Sequence, residues 1–226
     1  MQNKIATNFE ELNDFLSKYQ NPKTFYFRGQ ASVEWEIKPK AGREPFNKVK
    51  DKTIFEAWKR QAYQFIEKNF DNDWDWLALA QHNGLPTRLL DWTRNPLIAA
   101  FFASNELIGE NGVIYVVEFK QYIDTTKNDP FEFEGIRVFH PKIVANRLHS
   151  QQGLFSFHSE PSAELTEKSD NVKTLDKIII KSEFKRNLLS KLNYYGVNAL
   201  KLFPDLEGLS KYTEWTFESG EYWNLK

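Results

Sequence analysis

Cysteine is absent from the chain. Its absence excludes a disulfide framework, a thiolate nucleophile and Cys-ligated zinc, and it suits a reducing cytosol. Long apolar runs are missing as well. Nothing approaches the ~18 consecutive apolar residues of a membrane span, and the opening Met-Gln-Asn-Lys-Ile-Ala-Thr-Asn has no apolar signal core. These features predict a soluble, cytoplasmic protein without a membrane partner. An excess of one charge sign is also lacking: 30 Lys and Arg face 31 Asp and Glu, with a net charge of −1. The whole molecule therefore exerts no electrostatic pull on nucleic acid, although a local basic groove stays open. There is no glycine-rich phosphate loop, no Gly-x-Ser-x-Gly elbow and no His-Glu-x-x-His. The four histidines, at 82, 140, 149 and 158, lack helical ligand spacing, so no metal is expected.

What the chain has is aromatic mass. Phe, Trp and Tyr make up 15% of 226 residues, enough for a large core in a single domain spanning 1–226. One stretch, Gln81 to Ser104, organises the rest. Its first half is crowded with polar groups. Its second half has seven consecutive residues, Leu97 to Ala103, that want burial. A surface loop does not need the second half, and a plain core element does not need the first.

The patterning predicts a mixed succession of helices and strands. Thr7 to Tyr19 has a capping box at Thr7 and Glu10 and one apolar stripe. Thr24 to Arg28 reads as a short strand stopped by Gly29, with Trp35 to Lys38 as a second. Helices are expected from Thr53 and from Asp73, the latter ended by a left-handed Gly84. Leu85 to Thr93 reads as extended, and Asn95-Pro96 caps a buried helix to Asn105. Strands are expected at Gly112–Phe119, Ile136–Phe139, Gln151–Phe157, Lys177–Lys181 and Asn198–Phe203. Between them lie a long exposed loop, Ser159–Leu175, and a helix opened by Ser182. The tail, with Tyr212, Trp215, Phe217, Tyr222 and Trp223, is too aromatic to stand free and should pack back. The fold class is α+β, with a mixed β-sheet, continuous or split, flanked by helices.

Several side chains in this pattern carry chemistry. Arg28 ends a strand beside a glycine, a position suited either to a cleft or to a solvated edge. Arg28, Arg88 and Arg94 are candidate phosphate ligands, because guanidinium binds phosphate oxygens in a two-pronged, planar way. Arg88 equally suits pairing with Asp91 or loop carbonyls. Asp91 fits orienting His82, binding a ribose hydroxyl, or holding its own turn. Trp92 fits the core better than a stacking platform. The strand-to-helix turn brings the amides of Thr93 to Leu97 near any bound anion.

Phe27-Arg28-Gly29-Gln30 matches the motif for which the FRG domain family is named. The run Gln81-His82-x-Gly84-x-Pro86-Thr87-Arg88-Leu89-Leu90-Asp91-Trp92-Thr93-x-Asn95-Pro96 resembles its second block. Gln151-x-Gly153-x-Phe155 resembles a third, and Leu202-Phe203-Pro204-Asp205-Leu206-x-Gly208 a C-terminal one, so the motif core spans about 24–212. More remotely, the order of patches is similar to ADP-ribosyltransferase-like folds. There an Arg or His lies on a first strand, then comes a Ser/Thr-bearing strand with an Ala-rich helix, and a Glu sits on a later strand. Arg28, Thr93 with Ala99–Ala103, and Gln151 or Gln152 fall at these places.

That resemblance implies NAD as substrate, ADP-ribose transfer to an unspecified protein or nucleic-acid acceptor or NAD hydrolysis, and a toxin or defence effector. It assigns catalytic roles to Arg28, His82, Asp91, Thr93 and Gln151. It places ligand contacts at Tyr26, Phe27, Gly29, Gln30, Arg88, Trp92, Arg94, Asn95, Gln152 and Phe155. Glutamine carries no charge, so Asp91, Asp205 or Glu207 would have to substitute for the expected Glu. The other reading is a non-catalytic module that binds a nucleotide, RNA or protein in defence or stress regulation. Nuclease chemistry through Asp91 and His82 lacks a second carboxylate.

Overall fold

A strand that is apolar at nearly every position must be covered on both faces, and Gly112–Phe119 is such a strand. In the computed structural model, which describes residues 3–21, 24–66, 70–141 and 153–220, it is the third strand of a seven-stranded sheet. The strands are β1 (Asn3–Ala6), β2 (Phe25–Gln30), β3 (Leu89–Thr93), β4 (Gly112–Phe119), β5 (Ile136–Phe139), β6 (Gly153–His158) and β7 (Val172–Ile180). Their order is β1-β7-β4-β2-β3-β6-β5, parallel only between β1 and β7. The sheet is mixed and continuous, but it has a seam. β2 pairs with β4 over six residues, whereas it pairs with β3 only at Phe27 and Thr93. Two leaves, β1-β7-β4-β2 and β3-β6-β5, meet at one residue pair.

The described helices are α1 (Phe9–Leu16), α2 (Asp51–Ala62), α3 (Asp73–His82), α4 (Pro96–Ser104), α5 (Ser182–Tyr194), α6 (Ala199–Leu202) and α7 (Leu206–Ser219). None among the described residues is long and apolar enough to cross a membrane. On one face of the first leaf, Phe27, Ile114, Val116 and Ile178 pack under α1, α4 and α5. On the second leaf, Leu89, Phe139, Phe155 and Phe157 pack against α2 and α3. The opposite face buries Tyr26, Trp92, Tyr115 and Leu154 together with the loop residues Ile37 and Leu165.

The helix α4 sits directly on the sheet backbone. A Cβ at Gly29 would lie 1.9 Å from the Ala99 carbonyl oxygen, and one at Gly112 would lie 2.0 Å from that of Ala103. Gly29 therefore does not stop its strand, as its composition suggested. It continues the strand to Gln30 and supplies the flat surface that α4 needs. The same contact explains the run of alanines in α4, which are buried without projecting.

Other expectations are corrected. Trp35–Lys38 is irregular, following a turn at Val33–Glu34, rather than a strand. Asn198–Phe203 is not a strand either: the Asn198 side chain accepts a bond from the Lys201 N–H at 3.1 Å and caps the short α6. β7 starts at Val172, inside the expected loop, because Val172 and Leu175 reach the lower core. The N-terminal cap is Asn8 with Glu11, one residue beyond the predicted box. β1 was not anticipated. In the tail, Trp215 packs against the core from α7, and Tyr222 and Trp223 lie outside the described residues.

Candidate functional site

The sequence between α3 and α4 builds one wall of the seam. Gly84, at φ +84°, turns the chain out of α3 in the left-handed conformation expected of it. The Thr87 hydroxyl donates to Gln81 Oε1 at 2.6 Å, which leaves the Gln81 Nε2 to donate to Asp91 Oδ2 at 2.9 Å. Gln81 therefore orients Asp91. His82 occupies the last turn of α3, half-buried. The Asp91 side chain is 52% exposed.

Arg28 forms the other wall. Beyond the Phe27–Thr93 pair the strands part, and the Arg28 Nη1 donates to the Asp91 carbonyl at 2.8 Å across the gap. The same nitrogen lies 4.0 Å from Asp91 Oδ2. Arg28 Nε is buried and has no protein partner. Burial lowers the Arg28 pKa to about 10; Asp91 opposes the shift and Arg43 adds to it. The group stays cationic at neutral pH. Arg43 is anchored by its Nε and Nη2, which donate to the Lys38 carbonyl at 2.9 and 2.6 Å.

A cavity of about 140 Å³ opens here, lined by Arg28, Gln30, Trp35, Arg43, Asn105 and Glu106. Trp35 is 41% exposed at its edge. The rim is stapled from below by Lys185. Its ammonium donates to the carbonyls of Ala31, Glu106 and Leu107 at 2.7, 3.0 and 3.0 Å, while the residue itself is wholly buried.

The remaining candidates are distributed differently. Arg88 is held by Asp51 in a bidentate pair at 2.6 and 2.7 Å, donates to the Pro130 carbonyl, and lies 4.5 Å from the Phe131 ring centroid. Arg94 contacts His140 at 3.1 Å and faces the Tyr26 ring. Tyr26, Phe27, Trp92 and Phe155 are core residues. The Tyr26 hydroxyl contacts that of Tyr122, and Trp92 Nε1 donates to Ser156 Oγ at 2.8 Å. Thr93 Oγ1 accepts from the Asn95 N–H at 3.1 Å, and Asn95 Oδ1 accepts from the Leu97 N–H at 2.9 Å. These two side chains thus hold the strand-to-helix turn. Asp205 caps α7 through Gly208, and Glu207 pairs with Lys211, both away from the cavity. Gln151 and Gln152 lie outside the described residues.

Under Arg28, Ser156 Oγ lies 2.9 Å from Nε2 of the buried His158. Burial, reinforced by the Arg28 charge, lowers the His158 pKa to about 3 and keeps the imidazole neutral. Among the described residues, no three His, Asp or Glu side chains are grouped to hold a metal ion.

The structure thus brings Arg28, Gly29 and Gln30 to one cavity, with Asp91 beside Arg28 but outside the lining, and Arg88 and Arg94 do not line it. Sequence reasoning did not find Trp35, Arg43, Gln81 or Glu106. The first two lie in a loop with no periodicity. The only signal for Arg43 was a cation among Pro and Gly.

Residues 23–111 match the sequence model of a family described as FRG domain. No curated protein and no solved structure matches the chain. The matched residues include both walls of the cleft and the whole of α4.

Proposed function

From a chain that carries an FRG domain over residues 23–111, we propose an enzyme that binds NAD in the cleft between β2 and β3 and cleaves its nicotinamide–ribose bond. The observation that carries this reading is Arg28: a guanidinium at the end of a cavity, with one buried N–H unpartnered and a second arginine beside it. The side chain is largely withdrawn from water, at 17% exposed, and its planar fork matches the oxygens of a phosphate.

The other parts follow from position. Trp35 offers an exposed ring to a flat base or pyridinium, the role that the buried Trp92 and Phe155 do not fill. Asp91, fixed by Gln81 and half exposed, supplies the carboxylate that stabilises a developing oxocarbenium. In the reaction the C1′–N bond breaks and nicotinamide leaves with the bonding pair. An acceptor oxygen or nitrogen, or water, forms the new bond to C1′, and its proton passes to Asp91 or solvent. Incubating the pure protein with NAD and cell extract, with mass spectrometry for nicotinamide and ADP-ribosylated products, tests this reading. Nicotinamide release that falls by roughly 10²–10³-fold in Arg28→Ala is expected; intact NAD with folded protein overturns it.

A second reading is a nucleotide-binding module without turnover. It is favoured by the closeness of Asp91 to Arg28, 4.0 Å, because each charge partly neutralises the other. Tight calorimetric binding of NAD with no product would select it.

A further inference from the structure

The helix α7 is fastened to the body at two points. At its start a Cβ on Gly208 would lie 1.9 Å from the Phe203 carbonyl oxygen, and near its end Trp215 packs against the core. Gly208 and Thr216 are its buried residues. Between these points a cavity of about 420 Å³ remains among α4, α5 and α7, a size typical of small-molecule sites. It shares Phe102, Asn105 and Glu106 with the smaller cavity, but Arg28 and Arg43 do not line it.

The walls are aromatic. Phe102 and Phe203 meet edge to face, 6.1 Å between centroids, and Tyr212 and Trp215 lie nearly parallel at 6.2 Å. All four line the cavity and none is fully buried. The charges are acidic. Glu106, Glu214 and Glu218 belong to the lining and are exposed. Glu214 and Glu218 stand one turn apart on α7, where like charges repel. Among the described residues neither has a salt-bridge partner. Lys211 also lines the cavity, but its ammonium is held by Glu207 at 2.7 Å and lies 5.8 Å from the Phe203 ring centroid.

These two features specify two parts of one ligand. Aromatic walls take a flat apolar body. Ring faces and unpaired carboxylates favour a positive charge over a negative one. We infer that this cavity is a second binding site, for a small organic cation built from a flat ring system and a protonated amine. The ring system packs against Phe102, Phe203, Tyr212 and Trp215, and the amine is drawn to the carboxylates of Glu214 and Glu218. In charge the site is the opposite of the arginine cleft, and it stands independently of the NAD reading.

The test is calorimetric titration of the full chain with tryptamine and with indole-3-acetate, which share a ring system and carry opposite charges. It is run on the wild type and on the double variant Glu214→Gln/Glu218→Gln, with thermal unfolding as the folding control. Both substitutions are on the exposed face of the mouth and leave the core intact. The wild type is expected to bind tryptamine at least about tenfold more tightly than indole-3-acetate, and the double variant to narrow that preference to about threefold or less. Added salt should weaken tryptamine binding to the wild type more than to the double variant. Absence of tryptamine binding at millimolar concentration, equal or tighter binding of the acid, or a preference unchanged in the double variant overturns the assignment.

Discussion

Arg28 and Arg88 are guanidinium groups on adjoining parts of one sheet, and each has the sequence setting of a phosphate ligand. Around Arg88 the protein has closed completely. Asp51 binds it in two-pronged fashion, a carbonyl takes a third N–H, and aromatic rings cover its faces. Around Arg28 the protein has stopped short. One carbonyl and a carboxylate at 4.0 Å engage a single nitrogen, and Nε faces no protein acceptor. The difference lies in the backbone. Arg88 enters β3 where Asp51 opens α2 beside it, whereas Arg28 stands where β2 and β3 separate. A charge that the fold has satisfied stabilises the fold; a charge that it has left half satisfied is available to a ligand.

The comparison can be broken most forcefully at Arg88. Arg88→Ala leaves Asp51 nearly buried and unpaired, and should cost about 3–5 kcal/mol in urea unfolding. The double variant Arg88→Met with Asp51→Leu should recover much of that loss, which a ligand-binding arginine would not allow. Gly29→Ala comes next. Its new Cβ meets the α4 backbone at 1.9 Å, and the predicted cost is about 3 kcal/mol with loss of the cleft geometry, read by the same unfolding curves. Lys185→Met removes the ammonium that holds three rim carbonyls and should cost about 2 kcal/mol. Faster hydrogen exchange at residues 106–110 should accompany it.

The smallest effect sharpens the Arg28 side. His158 is buried with a pKa of about 3, below the unfolded value near 6.5. The unfolded chain binds the proton first, so stability is complete above about pH 6.5 and falls as pH drops toward 3. From pH 7 to 5.5 the loss should be about 1 kcal/mol. It should vanish in His158→Gln and shrink in Arg28→Ala, since removing the arginine raises the His158 pKa.

These contrasts also show what the sequence could tell. The β3–turn–α4 unit was legible because its signals are local: Asn95-Pro96 caps the helix, and the alanine run demands burial. β4 was legible because burial on both faces leaves a continuous apolar run. β1 was not, because Asn3–Ala6 becomes a strand only by pairing with β7 in the distant part of the chain. Asn198–Phe203 was misread because a short apolar run suits either element until its cap is seen. At the site, strand-end position pointed to Arg28, and guanidinium chemistry marked it as a phosphate ligand. That chemistry pointed equally to Arg88, since nothing local reveals an Asp51 thirty-seven residues away. The FRG resemblance held over residues 23–111. Trp35 and Arg43 reach the cavity from a loop whose path only tertiary packing determines.

Arg28 is the cation that a bound nucleotide is proposed to meet. Calorimetric titration of NAD into wild type, Arg28→Ala and Arg28→Lys, each checked for an unchanged unfolding transition, measures this directly. The prediction is binding by the wild type that weakens by about 30-fold or more in Arg28→Ala and is only partly restored by Arg28→Lys, which keeps the charge but not the planar fork. Equal affinity in wild type and Arg28→Ala would contradict it.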